Sequence, residues 1–169
     1  TKGEFAYTSE KLINELKIPK NLNLGVMINA SDFIDKKESP VDLIKKNFIH
    51  EKKSKILLVR IACHFEELKK ISNIVKFLKK NQYKVGINVM QISDRSTSEI
   101  QTAVKLINKL KPNVLYFADS LGSMDKLKTK KIINIIKSGW KGEVGIHTHD
   151  NLGKALENSL EAVNQGIRW

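Results

Sequence analysis

"VMINASDFID", residues 26–35, closes the first apolar run of the chain and turns away from it without a glycine. That turn decides between two folds. Residues 22–30 read as a strand. A doubly wound nucleotide-binding sheet would follow its first strand with a Gly-rich phosphate loop. None stands here, and no G-x-G-x-x-G or Walker-type loop occurs elsewhere in the chain. Four more apolar runs follow, at 55–64, 84–92, 113–120 and 143–150. Their near-continuous hydrophobicity predicts parallel strands covered on both faces. Amphipathic stretches separate them. Residues 65–81 place Leu68, Ile71, Val75 and Leu78 on one helix face. Residues 96–111 do the same with Ile100, Val104 and Ile107, with Ser96 or Ser98 as the cap. Helices over 124–139 and 152–166 end on Gly139 and Gly166, each expected just past the last helical turn.

The strands recur at about thirty residues, the size of one βα unit, which predicts an α/β fold with right-handed crossovers. Polar residues gather at the strand ends: Asn29 and Ser31, Arg60 and His64, Asn88 and Gln91, Asp119 and Ser120, His147 and His149. A barrel of eight βα units puts its chemistry there. The expected fold is therefore a partial (β/α)8 TIM barrel of about five parallel strands. Residues 1–20 read as the loop and helix of an earlier unit, and Trp169 stands where the next strand would begin. Residues 1–169 are thus expected to be a single fragment of a barrel domain, incomplete at both ends.

Composition narrows the class. With 41% hydrophobic and 28% charged residues the chain is globular. Runs such as Ile56–Val59 are too short to cross a bilayer, and the first residues carry no signal-peptide pattern. No membrane association is expected. Cys63 is the one cysteine, which excludes a disulfide framework and points to a cytoplasmic setting. Its strand parity opposes that of Arg60 and His64, so it is expected in the core rather than as a nucleophile. The net charge of +12 comes from lysine pairs scattered over several helices, not from one basic face. No nucleic-acid partner is expected, only a weak attraction for anions.

Three stretches carry candidate chemistry. In "GIHTHDNLG" (145–153), His147 and His149 are two residues apart and so project to the same side of a strand. Two converging imidazoles bind a divalent metal, or they are hydrogen-bonded residues at a strand end; spacing alone leaves both readings open. Asp150 and Asn151 either add to a metal shell or cap the next helix. In "FADSLGSM" (117–124), Asp119 either orients a ligand or a histidine, or closes a turn. Ser120 and the N–H groups near Gly122 are positioned to hold a carboxylate. In "VRIACHF" (59–65), Arg60 and His64 share a face, and Arg60 needs a partner, either Asp119 or a substrate anion.

Together, "VRIACHFEEL", "YFADSLGSM" and "GIHTHDNLGKALENSLEAVNQG" resemble the pyruvate-aldolase branch of the HMG-CoA lyase-like TIM-barrel superfamily, over roughly residues 55 to 166. The resemblance implies a metal-dependent C–C bond lyase of the aldolase type, acting on a 2-oxo acid through a pyruvate enolate. It implies His147 and His149 as ligands of Mn²⁺ or Mg²⁺, and Ser120 and Gly122 at the substrate carboxylate. His64, Asp119 and Arg60 would be catalytic or supporting groups. Two alternatives are an acyl-CoA-dependent synthase or lyase of the same superfamily and a degenerate barrel segment serving as a scaffold. Cys63 replaces the threonine usual before the His64 position. The Asp-Arg segment of the family's first strand does not occur in these residues, so weak or no metal binding and no activity are expected of this chain alone. Homo-oligomer formation through exposed barrel edges is a further expectation.

Overall fold

The computed structural model describes residues 9–19 and 21–169; the rest of the N-terminal stretch read above as an earlier unit lies outside the described residues. Helices and strands alternate: α1 (Glu10–Glu15), β1 (Leu24–Asn29), α2 (Pro40–Lys45), β2 (Ile56–Cys63), α3 (Ser72–Lys80), β3 (Lys84–Val89), α4 (Thr97–Leu110), β4 (Val114–Ala118), α5 (Lys126–Gly139), β5 (Glu143–His147) and α6 (Ala155–Asn164). Neighbouring strands pair parallel in the order β1-β2-β3-β4-β5. Sequential order means that every crossover steps the same way. With right-handed crossovers, all connecting helices then fall on one face. A doubly wound sheet reverses direction partway; this one does not. The five strands form an arc of a (β/α)8 barrel, as the turn at 26–35 predicted.

One side of each strand meets the helices. Val59, Ile61 and Cys63 of β2, Val85, Ile87 and Val89 of β3, Leu115 and Phe117 of β4 and Val144 of β5 are all buried. They form one cluster with Ile74 and Leu78 of α3, Ile100 and Ile107 of α4, and Ile133 and Ile136 of α5. Each such side chain contributes about 1.5–3 kcal/mol of transfer free energy. Cys63 is fully buried here, and burial, with Glu67 nearby, pushes its thiol up to about 12. The opposite face carries the polar residues and the glycines: Met27, Arg60, Gly86, Asn88, Tyr116, Gly145 and His147 share it by register. Coverage by described helices is therefore one-sided, where the apolar runs had predicted two covered faces.

Several local expectations are refined. The strands stop one to three residues early because their polar tips enter turns. The His64 N–H donates to Glu67 Oε2 at 2.8 Å, which starts a 3₁₀ turn over Phe65–Lys69. Gln91 takes a left-handed φ of 54°. The helix predicted over 65–81 divides into that 3₁₀ turn and α3. Leu68, Ile71, Val75 and Leu78 remain buried. A spacing of three, as between Leu68 and Ile71, suits a 3₁₀ turn as well as an α-helix, so periodicity did not separate them. Ser96 caps α4, with Glu99 completing a capping box. Gly166 has the expected positive φ of 79°. Gly139 instead is the last residue of α5, and a Cβ there would sit 3.0 Å from Val104 Cγ1. It is small because α4 and α5 approach closely, not because the backbone turns left-handed. Among the described residues, no helix is long and apolar enough to cross a membrane.

Candidate active site

A guanidinium rooted in an apolar strand must find partners where it lands. Arg60 opposes Gly86 in register, and its side chain crosses β3 and β4 on the open face. Its guanidinium carbon lies 5.0 Å from the centroid of the Tyr116 ring. Its Nη2 donates to His147 Nδ1 at 3.1 Å and reaches Met27 Sδ at 3.3 Å. Two mid-strand glycines make this path. A Cβ on Gly86 would stand 2.8 Å from Tyr116 Cε2, and one on Gly145 would stand 2.2 Å from Tyr116 Cδ1. The ring therefore lies in a trough between them, 5% exposed, with a face turned to the cation. Burial raises the Tyr116 phenol pKa, and Arg60 partly offsets that rise. Sequence reasoning missed Tyr116 and its trough. The available signal was a glycine inside each flanking strand, which marks a close approach.

His147 is the last residue of β5, and His149 follows just beyond it. Their ring centroids are 4.9 Å apart, with planes tilted by 41°. Thr148 between them turns the other way, and its hydroxyl shares a hydrogen bond with Ser159 of α6 at 3.1 Å. A guanidinium only donates, so His147 Nδ1 accepts and the neutral ring holds its proton on Nε2. Burial, then Arg60 and His149, hold the His147 pKa below its ordinary value. The neutral imidazole is the form that ligates metals.

As a metal site this arrangement is half complete. No group of three or more His, Cys, Asp or Glu that could hold a cation occurs among the described residues. The Asp150 carboxylate accepts the Ala155 N–H at 2.8 Å, so it caps α6. Two adjacent imidazoles are donors of the kind a divalent transition metal takes. Arg60 already occupies the Nδ1 lone pair of His147, so cation binding at that atom requires the guanidinium to give way.

The other sequence candidates divide. Asp119 is not the partner of Arg60. Its Oδ1 accepts from Ser123 N and its Oδ2 from Met124 N, each at 3.1 Å, and its own carbonyl accepts from Gly122 N at 3.0 Å. The turn-closing reading of Asp119 is the one its geometry supports. The Gly122 N–H, expected at a substrate carboxylate, is thereby used within the turn. Gly122 itself has a φ of 61°, and a Cβ there would meet Asn151 at 2.8 Å. Ser120 Oγ accepts from Gln91 N at 3.0 Å, and among the described residues its O–H has no acceptor. His64 continues the open-face parity of Arg60 and Ala62, just beyond the end of β2. Two concavities of about 410 and 470 Å³ lie on the helical side, and none of these candidates lines either.

Asp119 is 1% exposed, so Asp119→Ala strands two backbone donors. The variant should lose about 2 kcal/mol of stability, read as a lower urea midpoint. Unchanged stability would show that the turn does not depend on the carboxylate.

A family model described as HMGL-like matches residues 52–169. A 4-hydroxy-2-oxovalerate aldolase of Bacillus thuringiensis (strain Al Hakam) is 25% identical over 109 residues, 64% of this chain and 32% of that protein. A 2-isopropylmalate synthase 2 of Caldanaerobacter subterraneus is 26% identical over 102 residues, 60% of this chain and 27% of that protein. Among solved structures, hydroxymethylglutaryl-CoA lyase from Pseudomonas aeruginosa superposes with a TM-score of 0.73 at 12% identity. That match covers 94% of this chain and 55% of the lyase. The chain spans about a third of the length of the curated aldolases it matches, 32% in the first of them.

Proposed function

The chain belongs to the HMGL-like family, and from that premise we propose that the whole protein is a metal-dependent C–C bond lyase of the aldolase type acting on a 2-oxo acid. The observation that carries this reading is the convergence of Arg60, His147 and His149 on one open sheet face, at the C-terminal ends of the strands. His147 and His149 would hold a divalent metal, Mn²⁺ or Mg²⁺, which would supply Lewis-acid stabilisation of developing negative charge on the substrate oxygen. The protein's own residues do the rest. Arg60 takes the substrate carboxylate by its paired N–H groups. In doing so it leaves His147 Nδ1, so carboxylate binding and release of that lone pair are one event. Ser120 contributes its O–H to the same carboxylate. His64 moves a proton at the strand end. Tyr116 fixes the plane in which the guanidinium moves.

The 2-isopropylmalate synthase relative supports a second reading, an acyl-CoA-dependent condensation at the same face. One assay separates them. The full-length protein is incubated with a panel of 4-hydroxy-2-oxo acids, with Mn²⁺ or EDTA, and pyruvate is measured. Metal-dependent pyruvate release supports the aldolase. Release of CoA from an acyl-CoA and a 2-oxo acid, without pyruvate release, supports the synthase. Neither activity, with the protein folded, supports the scaffold reading.

A further inference from the structure

Asn88 is a polar residue on the open face. It lies on β3 between Val85, Ile87 and Val89, which pack toward the helices, and it takes the opposite side of the strand. In register it sits between Ala62 of β2 and Tyr116 of β4, one inner-face position nearer the strand ends than Gly86, which Arg60 opposes. It is 3% exposed. Its Oδ1 has no hydrogen-bond partner among the described residues. A buried amide atom without a partner costs about 1–3 kcal/mol, and a leucine of similar size would avoid that cost. Among the described residues, the other buried side-chain atoms without partners belong to Glu10, Thr129 and Asn158, all on helices. Asn158 already has a structural task, since its Nδ2 donates to the Met124 carbonyl at 2.9 Å. Asn88 alone among the four shares a sheet face with Arg60 and His147.

We infer that Asn88 is a specificity-determining residue, whose amide holds a hydroxyl of a hydroxylated carboxylic acid while Arg60 holds the carboxylate. The inference rests on reading this face as the substrate site. A hydroxyl suits either end of a carboxamide, because it donates to the oxygen and accepts from the nitrogen. It supplies the partner that the strand lacks. An acid without the hydroxyl leaves the amide unsatisfied, and that is how the site discriminates.

The test uses the full-length protein in EDTA, so that chelation by a hydroxy acid plays no part. Ligand-observed NMR titration compares lactate with propionate and 3-hydroxybutyrate with butyrate. The wild type should bind the hydroxylated member of at least one pair about 5–10-fold more tightly. Asn88→Leu should bring that pair within about twofold. Its Tm should be equal to or above the wild-type value, since the Asn88 Oδ1 has no hydrogen bond to lose among the described residues. Asn88→Ala provides the same binding comparison should the leucine disturb packing. Retained hydroxyl preference in the variants overturns the inference, as does a fall in Tm of more than about 4 °C in both, which marks a structural role. Binding of the plain acids with no hydroxyl preference in the wild type overturns the role of Asn88 alone. No binding of any acid removes the carboxylate role of Arg60, and the inference with it.

Discussion

Gly145→Ala is expected to lower stability by about 3–5 kcal/mol, far more than alanine costs in an ordinary strand. The new Cβ would lie 2.2 and 2.3 Å from Cδ1 and Cε1 of Tyr116, and 3.0 Å from Trp169 Cβ. The β5 backbone cannot retreat freely, because its ladder to β4 runs from Glu143 to His147. The ring must therefore leave its trough. That exposes a large aromatic surface and removes the platform under Arg60. Urea denaturation of a double-mutant cycle isolates the cause. In a Tyr116→Ala background, Gly145→Ala should cost little, leaving a coupling of several kcal/mol. An additive cycle would show that the glycine serves something other than the ring. The same reasoning, with a smaller effect, applies at Gly86, where the contact would be 2.8 Å.

On the proposed aldolase reading, His147→Ala should reduce metal-dependent pyruvate release by the full-length protein about 10²–10³-fold, with secondary structure unchanged by circular dichroism. His147 is at once one of two adjacent imidazoles and the acceptor for Arg60. Its loss removes a donor from the pair and leaves the guanidinium without its anchor. His149→Ala should fall in the same range. The double variant should lose little more than either single one, because residues that act as a unit are not additive. A His147→Ala protein with activity within threefold of wild type would remove the histidine pair from the chemistry. It would also leave Arg60 and His147 as a structural hydrogen bond of the sheet face.

Much of this is legible in the sequence alone. The missing glycine at 26–35, the unit length and the apolar runs of 55–64 and 113–120 are local properties, and each reports a backbone preference or a burial pattern. They predicted the parallel sheet and the helices between its strands. The alternation of Ile146 and His147 likewise follows from strand geometry; His149 lies beyond the end of β5, and its ring stands beside that of His147. Capping was readable at Ser96, where a hydroxyl precedes Glu99 by three residues. It was ambiguous at Asp119, because a carboxylate before Ser123 and Met124 closes a turn with the same atoms that would orient a ligand.

The sequence by itself determined which residues reach the open face, since parity along a strand is fixed by the two-residue period of the backbone. Only the tertiary structure decided what they meet there. Arg60 and His147 are 87 residues apart, and nothing in either local sequence specifies their 3.1 Å contact. It arises because sequential strand order stacks Gly86 and Tyr116 between them, and a glycine leaves room that an aromatic ring and a guanidinium then fill. The unpartnered amide of Asn88 is of the same kind. An asparagine in a strand is unremarkable until three strands bury it, because only packing removes the water that would have satisfied it.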